Sequence, residues 1–199
     1  MANRDAPMGL RPSYHLTGGV IRPNKNYTIA SAYNTAIGYG DPVVALSTGS
    51  VGPNIAVGTA ATAPFVGVFA GCTYQNTAGD MIYSRQWVAS TATLGSVDAR
   101  ALVYDDPMIV YEIQADTGTT VAVTDIWNHA DITDTGPNTS IGMSRRELDG
   151  SDIGTGVNLH IMGMVDSPEN AIGEHVNLYV LINEHALRNG GAVSAVNLA

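Results

Sequence analysis

Short apolar runs broken by turn formers are the feature that most limits what this chain can fold into. "GDPVVALSTGSV" (40–51) opens on Gly-Asp-Pro, runs through Val43–Leu46 and stops at Ser-Thr-Gly-Ser. "APFVGVFAGCTY" (63–74) behaves similarly, and "DDPMIVYEIQADTG" (105–118) repeats the Asp-Pro opening. Gly, Pro, Asn and Asp punctuate the chain throughout, each for its own conformational reason. Strand-plus-turn units of about 8–12 residues are the pattern of an all-β sandwich or barrel. Composition agrees: 45% of residues are hydrophobic, 22 are Gly, and only 14% are charged, against about 25% in ordinary domains.

Strands are expected at 27–33, 42–46, 54–58, 64–71 and 81–90, and two more within 101–116. Residues 119–127 mix β-branched residues with a short helical stretch near "VTDIWNHADI". "GVNLHIMGMV" (156–165) and "EHVNLYVLIN" (174–183) alternate apolar and polar residues, so each has one buried and one wetter face. "DSPENAIGE" between them closes an antiparallel pair. Only "NEHALRNGG" (183–191) reads as helix, capped by Asn183 and ended by Gly190. The reading divides into an extended N-terminal arm (1–25), a first β unit (26–98), a second β unit (99–190) that stands alone or joins the first, and a flexible tail (191–199).

The arm is rich in Pro and Gly, which excludes a helix but allows a short strand near Ser13–Leu16. Its net charge is +3, whereas the remaining 174 residues carry −12, and Lys25 is the only lysine. An acidic body argues against nucleic-acid binding. A basic arm on an acidic body suits docking on an acidic protein surface or an ordinary solvated terminus. Cys72 is alone, which excludes an intrachain disulfide and a Cys-based zinc site. "MANRDAPMGLRPSYH" lacks the apolar region of a secretory signal, and no run approaches the roughly 18 apolar residues of a membrane span. Synthesis in a cytoplasm and no membrane partner are therefore expected.

The motifs of several enzyme classes are missing. There is no G-x-S-x-G elbow and no phosphate loop, and "GTGVNL" lacks the third Gly of a dinucleotide fingerprint. H-E-x-x-H is absent. His160 and His175 are candidate neighbours across the 156–183 hairpin, as a polar pair or a two-histidine site. Asp131, Asp134, Asp149 and Asp152 fit turn hydrogen bonding better than a calcium loop. Asp105 and Asp106 are adjacent and so point to opposite faces of a strand. Trp87, Trp127 and dispersed tyrosines suit a core, an interface or a sugar-binding face. No catalytic, cofactor or metal-binding residue is assigned, and the chain is not expected to be an enzyme.

"MANRDAPMGLRPSYHLTGGVIRPNKNYTIAS" is similar to the opening of head-associated structural proteins of tailed bacteriophages. "GDPVVALSTGSV…ATAPFVGVFAG" resembles the strand-turn-strand phrase of phage capsid decoration, or cement, proteins. The resemblance covers roughly residues 1–75; over 100–185 it is one of small-barrel texture. It implies a β-tulip or small barrel, usually a homotrimer, on the outer capsid surface of the virion. There such proteins clamp neighbouring major capsid protein subunits and stabilise the expanded head. The smallest members are little over half this length, so the extra C-terminal block is a second β domain or a protruding knob. On this view Arg4, Arg11, Tyr14, Arg22 and Lys25 are the expected capsid contacts, and removing residues 1–25 is expected to leave the body folded. Two rivals remain: a tail, collar or fibre-base protein of the virion, and a polysaccharide-binding β domain.

Overall fold

A computed structural model describes residues 3–49, 51–118 and 120–188. The strands are β1 (Arg11–His15), β2 (Asn24–Ile29), β3 (Pro42–Ala45), β4 (Ile55–Val57), β5 (Gly67–Gln75) and β6 (Met81–Ser84). They continue with β7 (Ala99–Tyr104), β8 (Ile109–Gln114), β9 (His129–Ala130), β10 (Leu159–Met164) and β11 (Asn177–Ile182). Four 3₁₀ turns are the helical elements among the described residues, and no helix there is long and apolar enough to cross a membrane. The all-β class expected from the turn spacing is what the chain adopts.

The strands form two sheets, ordered β2-β7-β5-β3-β4 with β6 on β5, and β1-β8-β11-β10-β9. Every pairing between named strands is antiparallel. The first sheet curls until its ends meet, and the second closes between the ends of β8 and β9, leaving β1 as an outer edge strand on β8. In the first, Thr28 bridges Asn54 in parallel, with Thr28 N donating to the Pro53 carbonyl at 3.1 Å and the Thr28 hydroxyl to Asn54 Oδ1 at 2.7 Å. Five staves cannot alternate direction all the way round, so one contact must be parallel, and the β2–β4 seam is that contact. In the second, residues 147–149 fill the gap: Leu148 bridges Ala115 in parallel and Ile132 antiparallel. Closing a sheet removes the open edges that would otherwise recruit other chains.

Two apolar clusters follow. Tyr27, Ile29, Val43, Ile55, Phe69, Trp87, Ala101 and Val103 belong to the first barrel's interior. Tyr111, Ile113, Leu148, Leu159, Ile161, Leu178 and Val180 belong to the second's. Val44, Ala56 and Val68 point the other way from Val43, Ile55 and Phe69 and join the second cluster. The first barrel therefore packs its outer apolar face on the second. That explains why Val43 and Val44 are both buried: β3 is covered on both sides.

The division of the chain differs from the linear reading. β7 (Ala99–Tyr104) belongs to the first barrel, between β2 and β5, so the crossing falls at Asp105-Asp106-Pro107 rather than at 98/99. There the two carboxylates face opposite ways. Asp105 accepts from Asn24 and the Tyr27 hydroxyl, and Asp106 accepts from the Met108 amide and meets His15. The arm's central stretch is β1, a strand of the second sheet. Residues 183–188 are bends and turns around an isolated parallel bridge from His185 to Phe65, not helix. Phe65 N donates to the Glu184 carbonyl and Ala186 N to that of Phe65, which takes the backbone groups a helix would need. The expected helix end and the 191–199 tail lie outside the described residues.

Candidate functional site: the N-terminal arm and its seat

The arm is fastened along its length. Leu10 is fully buried and its amide donates to the Gly40 carbonyl at 2.9 Å, while Gly9 N donates to that of Arg146. Arg11 forms a salt bridge with Glu112, whose side chain is 10% exposed. Gln114 clamps the preceding residues: its Oε1 accepts from Ala6 N at 2.7 Å and its Nε2 donates to the Arg4 carbonyl at 2.9 Å. Asn3 closes the end, donating to the Ala171 and Glu174 carbonyls and accepting from Ala171 N. Removing residues 1–25 would thus strip an edge strand and a core leucine from the second barrel. The expectation that the body survives such a deletion is corrected accordingly.

The proposed contact residues are all on the surface. Arg11 and Tyr14 come together on the outer face of β1, where the Tyr14 ring stands edge-on to Tyr179 with centroids 5.4 Å apart. Arg4 lies further up the arm and Arg22 in the link to β2. Lys25 is on β2, on the other barrel. The five residues thus span both units rather than forming one cluster.

Beneath the start of the arm, Asp5, Glu147 and His175 bring one ligand atom each within 4.8 Å of one another. Glu147 is delivered by the segment that closes the second barrel, and His175 by the loop before β11 that Asn3 pins. Burial, then the charges of Asp5 and Asp116, push the Glu147 carboxyl up to about 7, with His175 opposing. Asp116 is raised too, first by burial. Glu147 Oε1 and His175 Nδ1 are buried and have no hydrogen-bond partner. Clefts of about 290 and 180 Å³ flank Asn3, and His175 lines both. Sequence reading missed this trio because no local spacing joins residues 5, 147 and 175; of the three it singled out only His175, as a partner for His160.

The histidine pairing is also corrected. β10 and β11 place His160 opposite Leu181, while His175 precedes β11 altogether. His160 instead packs its ring, tilted, against His129, its partner in β9, with centroids 4.8 Å apart, and against Trp127 at 5.2 Å. The four aspartates singled out in sequence largely hold backbone amides. Asp131 accepts from Val157 and Asn158, Asp149 from Ser151, and Asp134 from Ala60.

The two barrels are locked by a buried ion pair. Asp41, in the Gly-Asp-Pro turn, is fully buried, and Arg146 is 3% exposed. Arg146 Nε lies 3.5 Å from Asp41 Oδ1, and Nη1 reaches the Thr133 carbonyl at 2.8 Å and Asp134 at 2.9 Å. Gly38 N donates to Asp41 at 2.7 Å. Burial holds the Asp41 carboxyl above its usual range, against the pull of Ser144, Gly38 and Arg146.

No family model matches this chain, and neither a curated protein nor a solved structure matches it.

Proposed function

We propose that this protein is a structural component of a tailed-phage virion. It decorates the outer capsid surface as a homotrimer and cements neighbouring major capsid protein subunits. The supporting observation is the arm: its backbone, Leu10 and the Gln114 clamp hold it in place, while Arg4, Arg22 and Lys25 face solvent. A cationic surface already ordered before docking loses little entropy on binding, and it complements an acidic partner. Addition of such subunits stabilises a shell by mass action when they bind only the assembled lattice.

The test is co-sedimentation with empty expanded capsids over a range of salt, alongside solution mass. A trimer that binds shells less tightly as salt rises is expected. The combined change Arg4→Ala, Arg22→Ala, Lys25→Ala should weaken binding without touching the fold. Arg11 is left in place because Glu112 is buried against it. A monomer that ignores shells would reject the reading, and full occupancy by the triple variant would reject the arm's part in it. Density at the tail or collar of particles would move the protein there. A polysaccharide-binding role draws on Trp127, a residue 65% exposed beside His160, and a glycan array checks it.

A further inference from the structure

Asp5, Glu147 and His175 converge from the arm, the barrel-closing segment and the loop before β11. We propose that they bind one divalent transition-metal ion, of the Zn²⁺ or Mn²⁺ type, and that this ion fastens the arm to the second barrel.

The donor set comes first. Two carboxylates and one imidazole mix oxygen with a borderline nitrogen, which suits first-row transition ions; Ca²⁺ and Mg²⁺ take oxygen. The spacing comes second. Ligand atoms about 2.1 Å from a tetrahedral ion sit about 3.4 Å apart, so a set already within 4.8 Å closes by a small movement. Asp5 is exposed on the arm and supplies that movement. The third observation is independent of both: Glu147 Oε1 and His175 Nδ1 are shielded from solvent and bond to nothing. Buried polar atoms are normally paired, and a shared cation pairs both at once. It also balances the negative charge that Asp5, Glu147 and Asp116 concentrate there. The clefts beside Asn3 give an ion a path to His175, and three protein ligands leave a fourth position for water. The site stands whether or not the chain docks on a capsid.

The full chain is stripped with chelator and titrated with Zn²⁺, with metal content measured after dialysis. One ion per chain is expected. Loss of even an outer-shell partner weakens metal sites about 10–100-fold, so Asp5→Asn, Glu147→Gln and His175→Asn should each weaken binding at least about tenfold. Asp5 is exposed, so Asp5→Asn leaves the barrels intact and circular dichroism verifies it. Trypsin reads the arm: Arg4 precedes Asp5 and is cleavable, whereas Arg11 precedes Pro12 and resists. Zn²⁺ should slow cleavage after Arg4 in the natural chain and not in Asp5→Asn. Three results overturn the proposal. One is no binding up to millimolar Zn²⁺. Another is binding indifferent to Asp5→Asn and Glu147→Gln but abolished by His160→Asn, which locates the ion at the His129–His160 pair. The third is bound Zn²⁺ that leaves cleavage unchanged.

Discussion

Replacing Arg146 by Met keeps much of the side-chain volume and removes the charge that faces Asp41. Asp41 is then a fully buried carboxylate held by Gly38 N and the Ser144 hydroxyl, and the Thr133 carbonyl loses its donor. Breaking one side of a buried pair destabilises by about 3–5 kcal/mol, mostly through the orphaned charge. The Asp134 contact adds little, because that side chain is 54% exposed. Two hydrogen bonds to Asp41 survive, which places the expected loss near ~3 kcal/mol. Urea unfolding followed by tryptophan fluorescence measures it. With a slope of about 2–3 kcal/mol per molar, the midpoint should fall by about 1–1.5 M. Neutralising the orphan should repair the damage, so Asp41→Asn in the Arg146→Met background is expected to recover about 2 kcal/mol. The pH dependence has a definite sign. A carboxyl whose folded pKa is raised stabilises below its unfolded pKa and loses that contribution as pH rises through the folded one. The deficit of Arg146→Met should therefore shrink on acidification. A loss below about 1 kcal/mol, or strictly additive single changes, would refute the claim that this pair locks the barrels.

His185 is 2% exposed, and burial, then Arg188, push its pKa down to about 4 against the pull of Asp105 and Asp106. A depressed histidine contributes stability in full above about pH 6.5 and loses it as pH falls towards 4, here by roughly 3 kcal/mol. Urea midpoints from pH 7 to 4 should decline less in His185→Gln; parallel curves would show that other groups govern acid sensitivity. The two tryptophans should respond oppositely to truncation. Trp87 is fully buried, donates to the Tyr33 carbonyl at 3.0 Å and stands edge-on to Tyr74, so Trp87→Ala should lose about 3–5 kcal/mol. Trp127 is 65% exposed, and Trp127→Ala should stay within about 0.5 kcal/mol; thermal melts of both variants distinguish the cases.

Local chemistry predicted local structure well and failed where distant segments compete for the same backbone. The Asp-Pro turns, most of the short strands and the 156–183 hairpin are set by neighbours in sequence and stand close to where expected. The strand expected over 81–90, however, stops at Ser84, because Trp87 pairs with Ile37 outside the sheet. "NEHALR" has the cap and composition of a helix, yet Phe65 takes its backbone groups, and tertiary pairing overrides propensity. The bulge between Ile161 and Gly163 shifts the β10–β11 register, which strict alternation cannot foresee. Nothing local to Arg146 marks it as the internal partner of Asp41.

The arm is the instructive case. Its charge and Pro/Gly content suggested an appendage, and its basic side chains do face outward. What ties it down is Leu10, a strand register and the amide of Gln114, none of which has a local signature. The same logic applies beneath it. Asp5 and Glu147 look unremarkable in sequence, and His175 is one of five histidines. They become a ligand set only because barrel closure delivers Glu147, the Asn3 contacts hold the His175 loop, and the seated arm lowers Asp5 onto both. An arm that carries one wall of a site cannot leave without dismantling it. Arm release and loss of the Asp5–Glu147–His175 cluster are thus one event, and whatever binds the cluster stabilises the seated arm by the same free energy.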